Sequence, residues 1–234
     1  MIGVGCLEEG AFVTRQIFIR DFSEERAALQ YLADMLAAKT FLVSFNGKAF
    51  DVNLLAARYI LNRLVNPLDG LPHLDLLFPS RRLCGYRLEN ARLVTLEREL
   101  FGLYRKDDIP GSEIPARYFF WLRRRDPRLI ADIFRHNRLD VLTLAALTIH
   151  LSELIVPCPI GSRTADPRDL LAAARLLKDR NKDRQAADLL GTLTACDHPS
   201  SRLESQKMLS LILKRGGEWE KAILLWEALL RENP

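Results

Sequence analysis

"FLVSFNGKAFDVNLL", residues 41–55, decides how the first half of the chain is read. Its opening run is apolar, β-branched and aromatic, which suits a short buried strand. Asn46, Gly47 and Lys48 then supply a turn, and from Asp51 the apolar positions recur at helical spacing to about Leu64. Strand, tight turn and helix make the repeating unit of an α/β sheet, and the strand end is where such sheets place their sites. Asp51 therefore has two readings. A carboxylate in a first helical turn satisfies free N–H groups and suits the helix dipole. Gathered with Asn46, Gly47 and Lys48 at a strand end, it is also a ligand available to a cation.

Working outward from this stretch, "IGVGC" and "AFVTRQIFIR" are β-rich runs separated by "LEEG", a hairpin pattern. "DFSEERAALQYLADMLAAK" starts acidic and repeats apolar residues at helical spacing. On the other side Pro67, Gly70 and Pro72 end the helix begun at Asp51, and "HLDLLF" reads as another strand. Then "LENARLVTLERELFGL" reads as a helix, "KDDIPGSEIP" as a loop, and "ARYFFWLRRR" and "RLIADIFRHNRLDVLTLAALTIHL" as helices.

The chain has 234 residues, 48% of them hydrophobic, enough to bury a real core. No run approaches the roughly 20 apolar residues of a membrane span, and "MIGVGCLEEG" does not read as a secretion signal. The cytoplasm is the expected location, with no membrane partner. Cys6, Cys84, Cys158 and Cys196 form no CxxC pair, and the expectation is reduced, buried thiols. The net charge of +4 is unevenly placed, because residues 81–138 hold fourteen Arg or Lys against eight Asp or Glu. That local excess fits a polyanion such as nucleic acid, and equally a solvated face laced with ion pairs.

A second informative stretch is "RHNRLDVLTLAAL". His136 and Asp140 are four apart in a helical pattern and so share a face. An imidazole beside a carboxylate on a rigid helix can activate water next to a bound metal. The same pair also serves as an ordinary helix-stabilising contact on a solvated face.

Taken together, "FLVSFNGKAFDVNLL", "HLDLL", "DIPGSEIPARYF" and "HNRLDVLTLAAL", in order across residues 41–147, resemble the YprB-type ribonuclease H-like domain, a branch of the DEDD 3′-to-5′ exonuclease superfamily. The resemblance implies a mixed sheet flanked by helices and two Mg²⁺ or Mn²⁺ ions held by four acidic residues. It places the third of these on Asp51 and the fourth on Asp140. His136 would position or deprotonate water, at a place usually held by Tyr in the related branch. Asp75 would reach the same metal site, or else form a turn. Asn46, Lys48, Asn137 and Glu113 would meet the substrate, with a helix-capping role as the alternative for Glu113 and simple solvation for Lys48. Arg123, Arg124 and Arg125 would track a nucleic-acid backbone or simply end a helix.

The chain departs from the pattern at its front. The superfamily's Asp-x-Glu motif, which ends an opening central strand, has no match before Asp51, where the acids are Glu8, Glu9, Asp21, Glu24, Glu25 and Asp34. The sequence thus reads as starting one strand late. With two of four carboxylates missing, little nuclease activity is expected from these residues, and the sheet is expected to be strained or to recruit another strand. The alternative is a catalytically dead scaffold that binds nucleic acid or protein.

Beyond "IVPCPIGSRTADP" the pattern is entirely helical. In "GGEWEKAILLWEALLRENP", Gly217, Trp219, Ala222, Trp226 and Pro234 resemble the second half of a tetratricopeptide repeat, and Ala187 aligns with Ala222 in a weaker earlier copy; an ordinary helical hairpin explains the same pattern. The expected organisation is a ribonuclease H-like α/β domain over 1–155, a linker over 156–168 and a small all-α tetratricopeptide-like domain over 169–234 that could take a protein partner.

Overall fold

The computed structural model describes residues 1–106, 108–156 and 165–232. Residues 157–164 of the expected linker, with Cys158, lie outside that range, as does Pro234. The chain divides into two compact units, Met1–Phe78 with Asn90–Thr148, and Pro79–Glu89 with Ile149–Pro234.

The first unit is mixed α/β. Strands β1 (Ile2–Glu8) and β2 (Ala11–Ile17) pair antiparallel from Ile2↔Ile17 to Glu8↔Ala11. Glu9 and Gly10 close the hairpin, both with positive φ (47° and 83°), which suits the twist of the strands. Strands β3 (Leu42–Ser44) and β4 (His73–Asp75) pair parallel, in the register Leu42↔His73 to Ser44↔Asp75. Each pair forms its own two-stranded sheet. Its helices are α1 (Glu25–Leu36), α2 (Asp51–Leu61), α4 (Leu93–Phe101), α5 (Ile114–Arg124) and most of α6 (Arg128–Ile155), whose end continues into the second unit, while α3 (Leu77–Leu83) belongs mostly to that second unit.

Two apolar clusters hold this unit. Ala28, Leu29, Leu32 and Leu36 recur at helical spacing on α1 and pack with Ile17, Tyr59 and Leu68. Tyr59 is fully buried, and its hydroxyl donates to the Leu29 carbonyl at 2.8 Å, so its one polar atom is satisfied. In the second cluster Phe18 meets Trp121 and Phe134 with ring centroids 4.9 and 5.0 Å apart, over Ile109, Ile130 and Ile133.

The glycines of "IGVG" let β1 lie against α6. A Cβ on Gly3 would stand 2.2 Å from Asn137 Oδ1, and one on Gly5 would stand 2.7 Å from a methyl of Val141. Gln16 on β2 locks the contact by donating to the Phe134 carbonyl at 2.7 Å and to Asn137 Oδ1 at 3.0 Å.

In the second unit α7 (Pro167–Asp179), α8 (Asp183–Leu193), α9 (Pro199–Arg215) and α10 (Trp219–Glu232) each pack on the next in sequence. Pro167 and Pro199 begin their helices where no N–H is missed. Ala173, Ala174, Ala186 and Ala222 are fully buried and let the helices approach closely. The buried small residue of α8 is Ala186, one position before the expected Ala187, which is only half-buried. Trp226 donates from its ring to Ser210 at 2.9 Å, whereas Trp219 is 54% exposed and fills no gap.

Of the described cysteines only Cys84 is buried, while Cys6 and Cys196 are half-buried, against the expectation of uniformly buried thiols. Among the described residues no helix is long and apolar enough to cross a membrane.

Gly3→Ala tests the strand–helix contact, because its Cβ would stand within 2.7 Å of three side-chain atoms of Asn137, which Gln16 holds in place. The substitution should cost about 1–3 kcal/mol, read as a lower urea midpoint at an unchanged slope.

Candidate functional site

The turn between β3 and α2 is built around Asp75. This residue ends β4 with 3% exposure. Its carboxylate accepts the backbone N–H of Asn46 at 2.7 Å, of Lys48 at 3.0 Å and of Leu77 at 3.1 Å. Three N–H donors converging on one buried carboxylate fix the turn, since leaving any of them unpaired would carry a desolvation cost. Asn46 takes the left-handed conformation (φ 60°) that Asn tolerates best among residues with a side chain. Gly47 is required by proximity, because a Cβ there would lie 2.4 Å from the Ser44 hydroxyl. Asn46 and Lys48 thus act here through their backbones. The turn delivers Asp51 as the first residue of α2, after an N-cap, Phe50, that makes no side-chain cap bond.

The second half of the site is organised by Arg105, whose side chain is 3% exposed. Its Nε and Nη2 hold the two oxygens of Glu97, each at 2.6 Å, and Nη2 also donates to Asp140 Oδ1 at 2.6 Å. Its Nη1 donates to Asp108 Oδ2 at 3.0 Å. Glu97 is fully buried on α4 and also accepts from the Thr143 hydroxyl. His136 lies between two carboxylates, with Nδ1 2.9 Å from Asp108 Oδ1 and Nε2 3.4 Å from Asp140 Oδ2. Burial works to raise the Asp108 pKa, but hydrogen bonds to His136 and Arg105 outweigh it and keep the carboxyl below its ordinary value. Burial also opposes the Arg105 charge, and Glu97 and Asp140 more than offset it.

The Asp51 carboxyl lies close enough to Asp75 and Asp140 to feel the charge of each. Asp51 is accessible as a residue, yet protein atoms crowd its carboxyl group and push its pKa up, with the charges of Asp75 and then Asp140 adding to the shift. The carboxylates of β4, α2 and α6 therefore share one electrostatic environment. His73, which meets the Ser44 hydroxyl at 2.7 Å, is pushed down by burial and by Lys48, against the pull of Asp75.

The other expected residues fall elsewhere. Asn137 has its carbonyl oxygen engaged by Gln16 and pressed against Gly3. Glu113 makes no side-chain cap bond to α5 and forms an exposed ion pair with Arg117 at 3.2 Å, so the capping alternative fails. Arg123, Arg124 and Arg125 are all exposed at the end of α5, where Arg125 takes the left-handed conformation, lies 4.8 Å over Trp121 and donates to the Arg20 carbonyl at 2.6 Å.

As a metal centre the acids fit only in part. Hard cations such as Mg²⁺ want several converging oxygens. Among the described residues the groups whose ligand atoms converge within 4.8 Å of one another do not include Asp51, Asp75 and Asp140. Their ligand atoms do not converge within that distance, so these residues do not assemble a two-ion cluster.

Sequence reasoning missed Glu97, Arg105 and Asp108. A signal for Glu97 was available, since it occupies the apolar stripe of "LVTLERELF" beside Leu93, Leu96 and Leu100, where a lone acid demands a buried cation. Arg105 and Asp108 sit in an irregular stretch whose pairing is set only by the tertiary fold.

A family model described as the RNase_H superfamily matches residues 1–152. The chain is 35% identical over 203 residues to the uncharacterized protein YprB of Bacillus subtilis (strain 168), covering 83% of this chain and 46% of that protein. The chain thus spans about half the length of the curated relative it matches. No solved structure gives a significant match.

Two outcomes test the site. Arg105→Met leaves Glu97 charged and buried, and should destabilise the protein by about 3–5 kcal/mol, with the Glu97→Leu, Arg105→Met double variant recovering part of the loss in denaturant unfolding. For Asp51, a folded pKa above the unfolded value means that ionisation costs stability as pH rises through the interval between them, a cost fully present at pH 7. Asp51→Asn should therefore melt higher than wild type at pH 7, with the difference vanishing below about pH 4, where the unfolded carboxyl also holds its proton.

Proposed function

The chain belongs to the RNase_H superfamily, and on that footing we propose that its first unit is the core of a metal-dependent nuclease of the 3′-to-5′ exonuclease type, weak or inactive within these 234 residues. Membership itself points to nuclease-like chemistry and to nucleic acid as the partner. The observation that supports the finer reading is that the Asp51 carboxyl, at the start of α2, feels the charges of Asp75 on β4 and of Asp140 on α6.

In this reading Asp51 and Asp140 are the ligands for Mg²⁺ or Mn²⁺. Asp75 acts as a positioning residue, because its oxygens are engaged by the turn that presents Asp51. His136 holds an attacking water, its ring steered by Asp108. Lys48 and Asn46 stand at the strand end where a phosphate would approach, and Glu113, paired with Arg117, and Asn137, bonded by Gln16, are the other candidates to meet substrate. Even with Arg105 present, Glu97, Asp108 and Asp140 outnumber it, so the cluster stays attractive to a cation. We read 1–155 as this domain, 156–168 as a linker, and 169–234 as tetratricopeptide-like repeats that take a protein partner; their buried alanines support that reading.

A second reading, a catalytically dead scaffold that binds nucleic acid or protein, is favoured by one contact, the 2.6 Å ion pair that ties Asp140 to Arg105.

The test is cleavage of end-labelled single-stranded RNA and DNA with Mg²⁺ or Mn²⁺, by this chain and by a form extended at its N-terminus with an Asp-x-Glu strand. Only the extended form should cleave, and Asp140→Asn or Asp51→Asn in it should lower the rate at least about 100-fold, the scale of losing one electrostatic element of an active site. Undiminished cleavage by Asp140→Asn removes the metal assignment. Binding without cleavage in both forms selects the scaffold.

A further inference from the structure

The second unit contains a polar cluster that the nuclease reading does not use. Cys84 follows α3 and is fully buried, His150 stands on the last part of α6, and Asp169 lies in the first turn of α7 with 1% exposure. One ligand atom from each residue converges within 4.8 Å of the others. Three separate elements of one unit thus bring a sulfur, an imidazole nitrogen and a carboxylate oxygen to one buried point.

Asp169 is held as a ligating carboxylate is usually held. Its Oδ1 accepts from the Tyr86 hydroxyl at 2.8 Å and from Arg87 Nε at 2.7 Å, and its Oδ2 accepts from Arg87 Nη2 at 2.7 Å. Each carboxylate oxygen has room for two partners, so Oδ2 keeps a lone pair for a further bond. Bonds of this kind orient first ligands in metal sites and fix their rotamers. Arg87 is held in turn by Asp166, 3.8 Å away.

Burial, reinforced by the Asp169 charge, pushes the Cys84 thiol up to about 12. Such a thiol can exchange its proton for a cation that prefers sulfur.

We propose that Cys84, His150 and Asp169 bind one divalent cation of the zinc class, which fastens the 79–89 segment to α7 and the end of α6. The mixed sulfur, nitrogen and oxygen set suits Zn²⁺ or Co²⁺, whereas Mg²⁺ and Ca²⁺ take oxygen ligands. Zinc bonds of about 2.0–2.3 Å would draw the three donors a little closer than their present limit, a side-chain adjustment with no change of fold. On binding, the Cys84 S–H bond breaks, the sulfur keeps the electron pair and bonds the cation, and the proton leaves to solvent. The three ligands leave one tetrahedral position for water. With Tyr86 and Arg87 orienting Asp169, the cation would bridge three elements of this unit.

The proposal is tested on the full chain after removal of metals with a chelator. Titrated with Co²⁺, wild type should develop a thiolate-to-cobalt charge-transfer band that saturates at one equivalent and disappears on adding Zn²⁺. Zn²⁺ but not Mg²⁺ should raise the melting temperature. Cys84→Ser should abolish the band, Cys196→Ser should leave it intact, and Tyr86→Phe should weaken Zn²⁺ binding by about 10-fold, as expected for a partner of a ligand. Absence of the band in wild type at excess Co²⁺ overturns the proposal even if a variant fails to fold. Persistence of the band in Cys84→Ser also overturns it, leaving an adventitious ion only.

Discussion

The guanidinium of Arg105 is the interaction on which the first unit's site depends. Glu97 has no exposure at all, and a carboxylate in such a place demands a paired cation with matching geometry. Arg105 meets that demand with two parallel bonds to Glu97, and its remaining donors then settle the positions of Asp108 and Asp140. His136 takes its place between those two carboxylates. One buried acid on α4 thereby fixes the polar face of α6, although no residue of α4 is expected to touch a substrate.

A second constraint brings β1 against that helix. Gly3 and Gly5 leave no side chains where Asn137 and Val141 must approach, so α6 lies on the hairpin at the level of its polar residues. The same logic operates at the far strand pair, where Asp75 replaces a longer sheet as the organiser. Three backbone N–H groups on its carboxylate hold a turn that β3 and β4, with three residues each, would otherwise hold weakly. Local packing at glycines and a buried acid thus position both halves of the site, with α1 and α5 supplying the apolar mass behind them.

Much of this was legible in the sequence because it rests on local rules. The β1–β2 hairpin, the strand–turn–helix at Asp51 and the long α6 follow from periodicity and turn residues, whereas "HLDLLF" read as one strand and instead ends its strand at Asp75 and enters α3 at Leu77. Membership of the superfamily was also legible, because several short motifs in order carry more information than any one of them. The roles of polar residues were less so. Asp75, Asn137 and Glu113 read as ligand or substrate groups from their types, but whether a carboxylate faces a cation or three N–H groups depends on a turn 29 residues away in sequence. Arg105 escaped notice altogether, since a lone Arg in a loop becomes informative only once Glu97 is known to be buried beneath it.

The hydrogen bonds also rank the carboxylates by how readily each could change partners. Asp75 cannot be withdrawn from its turn without leaving buried N–H groups unpaired, so a cation would gain it only by undoing the loop that presents Asp51. Asp140 is different. Arg105 keeps both of its bonds to Glu97 if the single contact from Nη2 to Asp140 is lost, and the half-exposed Asp140 carboxylate can turn to water or to a cation without orphaning a buried charge. The Arg105 ion pair is therefore better understood as a resting partner for Asp140 than as a permanent block. Asp51, raised in pKa first by burial and then by the charges of Asp75 and Asp140, has most to gain from an arriving positive charge. Asp51 and Asp140 are the two acids that the fold leaves able to respond, and they are also the two that the motif pattern singles out.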